Sequence, residues 1–462
     1  MTDSTVSKRS ALLVATVAAF LTPFMASSIN IALPTIGREF STDAVSLGWV
    51  TTAYLLAAAV FLVPFGRLAD IHGRKRVFVA GVSVYAASTL LSALATSTPM
   101  LIACRAVEGT GSAMIFGTGV AILTSVYPPA ERGQALGINV AAVYAGLSLG
   151  PFLGGLLTQN LGWRSVFLAT LPLALGVIVL ALCNLRGEWA EARGERFDLA
   201  GSAIYGLALV ALMYGFSRLP APLGLCLVPL GIGGLLAFLA WEARVARPIL
   251  DLRLFRHNTV FALSNLAALL NYSATYAVGF LLSLYLQHIK GLTAQQAGLV
   301  LVLQPVVQAT FSPLTGRLSD RVEPRFVASA GMALTVAGLA VLTFLSAGAS
   351  MTFIRASLVL LGLGFALFSS PNTNSIMSSV DRRFYGVASG TVGTMRLLGQ
   401  MLSMGTTMLV FSQRMGRVEI TPAYHPAFVG SARILFVLFA VLCAAGILAS
   451  LARGNVRRER PV

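Results

Sequence analysis

Acid is scarce in this chain. Of 462 residues, 17 are Asp or Glu, and charged residues of both signs make up 11%, against about 25% in soluble domains. Polar residues are thin throughout: 56% of the chain is hydrophobic and the mean hydropathy is +0.80. These shortages exclude a soluble globular domain. They imply a polytopic membrane protein, each crossing taking about 20 mostly apolar residues. Cysteine is nearly absent. Cys104, Cys183, Cys226 and Cys443 fall in apolar segments with no CxxC or CxxH pair, so they read as small packing residues. His72, His257, His288 and His425 are dispersed, which argues against a metal site. No GxxxxGK[ST] run occurs, which argues against an ATP-driven pump. No cofactor is expected.

What is there is apolar length. Fourteen segments read as spans: 11–33, 47–65, 77–96, 99–126, 135–158, 164–184, 198–218, 222–241, 259–286, 295–315, 326–347, 351–377, 388–412 and 432–452. The stretch 198–241 reads as two spans, with one interfacial pair as the alternative. The first segment begins after Ser10 without a small-residue cleavage site, and is expected to be a retained helix.

The net charge of +16 is not a nucleic-acid signature, because of where it falls. With a cytoplasmic N-terminus, 23 of the 33 basic residues fall on the cytoplasmic side and seven outside. Arg105, Arg355 and Arg396 fall within spans. The positive-inside rule then puts both termini in the cytoplasm, as an even span count requires. Thirty arginines against three lysines hint at a bacterial plasma membrane.

Sixteen of the acids read as loop or tail residues. Glu108 alone lies inside a long apolar segment, three residues after Arg105, so that the two charges share a helix face. An ionisable group at membrane depth is a functional-site hypothesis. Glu108 is the expected proton carrier, and Arg105 its tuning cation. A purely structural ion pair is the other reading.

The chain repeats itself. Gly66-Arg67-Leu68-Ala69-Asp70 recurs as Gly316-Arg317-Leu318-Ser319-Asp320, and Arg105 recurs at the same offset as Arg355. Gly137 is answered by Gly386. Two parallel halves imply a pseudo-two-fold axis along the membrane normal, with a binding site between the halves near the midplane. The expected division is an N-terminal six-helix bundle at 1–197, two linker helices at 198–241 and a C-terminal six-helix bundle at 242–462. Each GRLAD-type copy is expected to close a span and open a cytoplasmic loop, with Gly66 and Gly73 supplying a sharp turn. In the fifth span Gly146, Gly150 and Gly154 recur every four residues and form one smooth face, beside Pro151 and Gly155.

Gly66 through Arg76 resembles the loop signature of the major facilitator superfamily. Arg105-Ala106-Val107-Glu108-Gly109-Thr110-Gly111 resembles its fourth-span motif, and Gly146 through Gly155 the fifth-span motif of its antiporters. Fourteen spans, Trp163-Arg164 opening the sixth, and Leu250 through Phe255 before the ninth make the chain similar to the 14-span drug:proton antiporter family. The resemblance implies an all-α membrane protein with the major facilitator fold: two six-helix bundles plus two additional helices. It implies no enzyme, but a proton-coupled exporter of small amphipathic or hydrophobic compounds, embedded in a lipid bilayer and functional as a monomer. It assigns a conformational gate to Gly66, Asp70, Gly73, Arg74, Lys75, Gly316 and Asp320, with Asp70 facing the start of the thirteenth span. Three positions depart from the family pattern. Ile71 stands where an arginine is common, Met25 where the first span often has an aspartate, and Glu108 where glutamine is usual. Glu108 is therefore expected to take the missing acid's place.

Asn30, Asn271, Tyr272, Asn372, Asn374 and Arg396 are the polar residues expected to line a substrate path. Each amide has helix-to-helix hydrogen bonding as its alternative role. A dedicated metabolite exporter, an uptake carrier, and a non-transporting membrane sensor or scaffold stay open as other functions.

Overall fold

The computed structural model describes residues 3–128, 131–185, 187–190, 192–195, 197–245, 252–380, 385–416 and 418–454. Among them the regular structure is helical. The helices are α1 (Asp3–Phe40), α2 (Ala44–His72), α3 (Arg74–Ala93), α4 (Thr98–Val126), α5 (Arg132–Leu161), α6 (Arg164–Asn184), α7 (Leu199–Arg218) and α8 (Pro222–Glu242). There follow the short α9 (Leu252–His257), α10 (Thr259–Leu284) with a π turn at Tyr285–Ile289, α11 (Ala294–Leu301), α12 (Leu303–Arg321), α13 (Pro324–Leu342), α14 (Met351–Ser378), α15 (Tyr385–Arg414) and α16 (His425–Ala452).

Thirteen of the described helical segments are long and apolar enough to cross a membrane. They include α7 and α8 as separate segments, each with the length and composition of a span. The expected span at 388–412 lies in α15, which has the length, 30 residues, but is not among the thirteen. Its apolar run is diluted by Thr391, Thr394, Arg396, Gln400, Ser403, Thr406 and Thr407. The segment expected as one span at 295–315 is one candidate span, Ala294–Ser319, with its helix interrupted at Val302 between α11 and α12.

The chain forms two compact units. One comprises Met1–Thr42, Trp49–Leu212 and Leu230–Ile249, the other Asp43–Gly48, Met213–Pro229 and Leu250–Val462. Inside the first, α1 packs on α5 and α6, and α3 on α4 and α6. Inside the second, α10 packs on α15 and α16, and α13 on α14 and α16. The two lists are one list shifted along the chain, which is the sequence repeat expressed as packing. Even the helix starts repeat. Ser97 caps α4 by accepting from the Met100 amide, and Ser350 caps α14 by accepting from the Phe353 amide. Such a cap satisfies one of the amides that a helix start leaves open.

The acids do not keep to loops as expected. Glu39, Asp70 and Glu242 lie in the closing turns of α1, α2 and α8, and Glu242 is buried. The cause is length. A 30 Å apolar core needs about 20 helical residues, and α2 has 29, so its last turns run past the core and carry charge.

Candidate functional site

In α4 the arginine–glutamate pair forms as its spacing requires. Arg105 Nη1 donates to Glu108 Oε2 at 2.7 Å, and both side chains have zero exposure. The guanidinium lies over the Tyr54 ring of α2, 4.4 Å from its centroid, and Nε donates to the Val50 carbonyl at 3.3 Å. Tyr54 in turn donates to the Ser112 hydroxyl at 2.7 Å. Tyr85, from α3, is a further polar group close to the carboxylate. Glycine lets these helices close around the pair. A Cβ on Gly109 would meet the Tyr54 backbone, and one on Gly111 would meet Tyr85. A charge pair sealed this way is held by its own attraction, since water no longer screens it. The sequence did not mark Tyr54 and Tyr85. Tyr54 is the ring that takes the guanidinium, an arrangement worth roughly 2 kcal/mol when desolvated.

The glycine stripe of α5 meets α1. A Cβ at Gly146 would strike the Phe20 carbonyl, at Gly150 the Ser27 hydroxyl, and at Gly154 the Ser28 backbone and Cβ. Ser28 Oγ donates to the Gly150 carbonyl at 2.9 Å. Gly155 is buried beside them, and α5 continues through Pro151 rather than ending there.

The GRLAD segment is not a loop. Helix α2 runs through Asp70 to His72, and Gly73 alone separates it from α3. The turn belongs to Gly73, whose φ is +116°. Gly66 is helical, and nothing lies within 4 Å of where its Cβ would be. The apolar run ends at Gly66, but the backbone keeps its helical bonds through the polar turn and a half beyond it. Asp70 pairs with Arg74 one turn on, with Nε donating at 2.9 Å. Arg74 also donates to the Ser125 hydroxyl of α4. Lys75 reaches the Leu185 carbonyl. In the second unit Gly316 lies in α12 with the Ser370 hydroxyl close by. The side chain of Asp320 and those at 381–386, where Asp70's family-implied partner would start, lie outside the described residues.

The expected path residues are dispersed within the units, and most bond to neighbouring helices. Asn30 accepts from Thr51 at 3.3 Å. Asn372 donates to the Ser264 carbonyl and accepts from Arg453 at 2.7 Å. Asn374 donates to Ser319 at 3.3 Å. Asn271 accepts from the Cys443 thiol, while its buried amide nitrogen has no hydrogen-bond partner among the described residues. Tyr272 packs edge-on against Phe365 and Arg396 is half-buried. Arg453 was missed. At 1% exposure it ties α10 to α14 from the end of α16, donating to Ser264 and Asn372.

The family model of the Major Facilitator Superfamily matches residues 15–404 and 264–462. The chain belongs to the Major Facilitator Superfamily. The cephamycin export protein CmcT of Amycolatopsis lactamdurans is 35% identical over 98% of this chain and 95% of its own length. The multidrug resistance protein Stp of Mycobacterium tuberculosis (strain CDC 1551 / Oshkosh) is 33% identical over 81% and 70%. The riboflavin transporter RibZ of Clostridioides difficile (strain 630) is 27% identical over 95% of each chain. A bacterial homolog of the human lysosomal transporter Spinster, solved inward-facing and unoccupied, shares the fold with a TM-score of 0.67 at 19% identity, covering 97% of each chain. The superfamily's members are transporters and not enzymes. This chain is accordingly a multi-pass secondary transporter of the cell membrane.

Proposed function

We propose that this transporter exports small amphipathic or hydrophobic compounds in exchange for protons, as a monomer of the 14-span drug:proton antiporter type working by alternating access. On this reading α15 is the thirteenth of fourteen spans, and both termini are cytoplasmic. The observation that carries the proposal is Glu108, a carboxylate with zero exposure inside α4, held to Arg105 at 2.7 Å. Desolvation favours its neutral form and the cation its charged form. A conformational change that shifts the balance makes it take a proton from one side and release it on the other. Carboxylates in water stay near their ordinary value of about 4 and lack this leverage. Export draws support from CmcT and Stp, whose names state export and multidrug resistance. The gate is assigned to Gly66, Asp70, Gly73, Arg74, Lys75, Gly316 and Asp320. The substrate path is assigned to Asn30, Asn271, Tyr272, Asn372, Asn374 and Arg396.

The test uses everted vesicles with an imposed pH gradient and ethidium as the probe, then purified protein for proton release on ethidium binding. Glu108→Gln should lose gradient-driven uptake and proton release while keeping gradient-independent exchange. If Glu108→Gln releases as many protons as the parent, the coupling role is wrong. A second reading, a dedicated carrier of one metabolite, is favoured by RibZ, which is matched over 95% of its length. Transport of a single compound out of a broad panel would support it. A chain that moves no compound at all would be a sensor or scaffold.

A further inference from the structure

We infer that the segment joining α6 to α7 is a strap that clamps the α2–α3 turn, so that the turn is locked by its own unit. Contacts from this segment converge on a turn one residue long. The Trp189 carbonyl accepts from the Arg74 amide at 2.9 Å, and the Ala192 amide donates to the Asp70 carbonyl at 2.9 Å. Glu188 Oε1 accepts from the Lys75 amide at 2.8 Å. Glu195 pairs with Arg67. These contacts have a common logic. The first amides of α3 have no partner within their own helix, and the strap supplies a carbonyl to one and a carboxylate to the next. A carboxylate at a helix start is also favoured by the helix dipole.

The sequence is fitted to this seat. Gly73 has a positive φ, and a Cβ there would fall on the Glu188 carboxyl group. Glycine is thus required twice, by the backbone and by the strap's occupant. The far end of the strap is anchored as well. Asp198 Oδ1 accepts from the Gly201 amide at 2.9 Å and Oδ2 from Trp241 Nε1 at 2.9 Å. One short segment therefore ties the turn to the α7–α8 hairpin. Strap and turn border a cavity of about 680 Å³ lined by residues that include Ile71, His72, Arg193 and Phe197.

The test is hydrogen–deuterium exchange of the full-length protein in nanodiscs, which needs neither a substrate nor protons to be the transported species. It therefore fails or succeeds independently of the export reading. In Glu188→Ala the Arg74 and Lys75 amides should exchange about tenfold faster, the size expected for losing a charge-assisted hydrogen bond. Amides at 81–93 should be unchanged. Glu195→Arg should loosen the same amides, and Arg67→Glu added to it should restore them. Unaltered exchange at 74–75 overturns the strap. So does loosening that spreads through 81–93, or that the charge swap fails to reverse.

Discussion

Arg105 and Glu108 are a buried ion pair whose cation is claimed from a third side by an aromatic ring. The Tyr54 ring lies 4.4 Å from the guanidinium carbon, and the carboxylate 2.7 Å from Nη1. Removing one partner strands the other in an apolar interior, at a cost of about 3–5 kcal/mol. Arg105→Met should therefore lower thermal stability more than the double change Arg105→Met with Glu108→Leu. Melting curves in detergent check this. A double variant as unstable as the single one would mean that the pair does not act as a unit.

Asp70→Asn keeps the size of the side chain and removes its charge. The Arg74 contact at 2.9 Å then loses its ionic part, and Asp70 is 31% exposed at the side chain, so folding should be nearly normal. Transport in proteoliposomes should slow or become unequal in the two directions. Unchanged kinetics in well-expressed protein would count against the gate.

The α1–α5 seam has no room for a methyl group. Gly150→Val places carbon where the Ser27 hydroxyl and the Phe24 carbonyl lie, and overpacking of this kind costs about 1–3 kcal/mol or more. Expression and melting temperature should both fall. Gly137→Ala, on the same helix with nothing within 4 Å of the new carbon, should be neutral or stabilising by about 0.5–1 kcal/mol.

Arg453→Met removes the donor that joins Ser264 of α10 to Asn372 of α14. The loss should be about 2–3 kcal/mol, since hydrogen bonds from a charged group are worth more than neutral ones. A melting temperature equal to the parent's would show that Arg453 is not a tie.

The span count has a direct test. Eleven spans separate the exposed residues 72 and 421 if α15 crosses the membrane, and ten if it does not. Single cysteines placed at these positions should label from opposite sides with an impermeant maleimide. Labelling of both from one side would remove α15 from the count.

Much of this was legible because it is local. The spacing of Arg105 and Glu108 names a shared face without any tertiary knowledge, and the four-residue period of Gly146, Gly150 and Gly154 names a seam. The segment 99–126 matches α4 within a residue because Ser97 caps its start. What was hidden depends on distant partners or on helices that outlast their apolar run. Glu188 reads as one acid among several in a polar linker, and its partner amide lies 113 residues away. Arg453 reads as one of the many cytoplasmic basic residues until α10 and α14 are seen to bury it. At the end of α2 the charged residues mark the end of the apolar core and not the end of the helix.

A joint one residue long has no slack. Helix α2, with 29 residues and a rise of about 1.5 Å each, is a lever roughly 44 Å long, and Gly73 is the one residue between it and α3. A rotation of about 10° there carries the far end of α2 through about 7–8 Å, so a displacement too small to notice at the turn becomes a full side-chain's width at the other end.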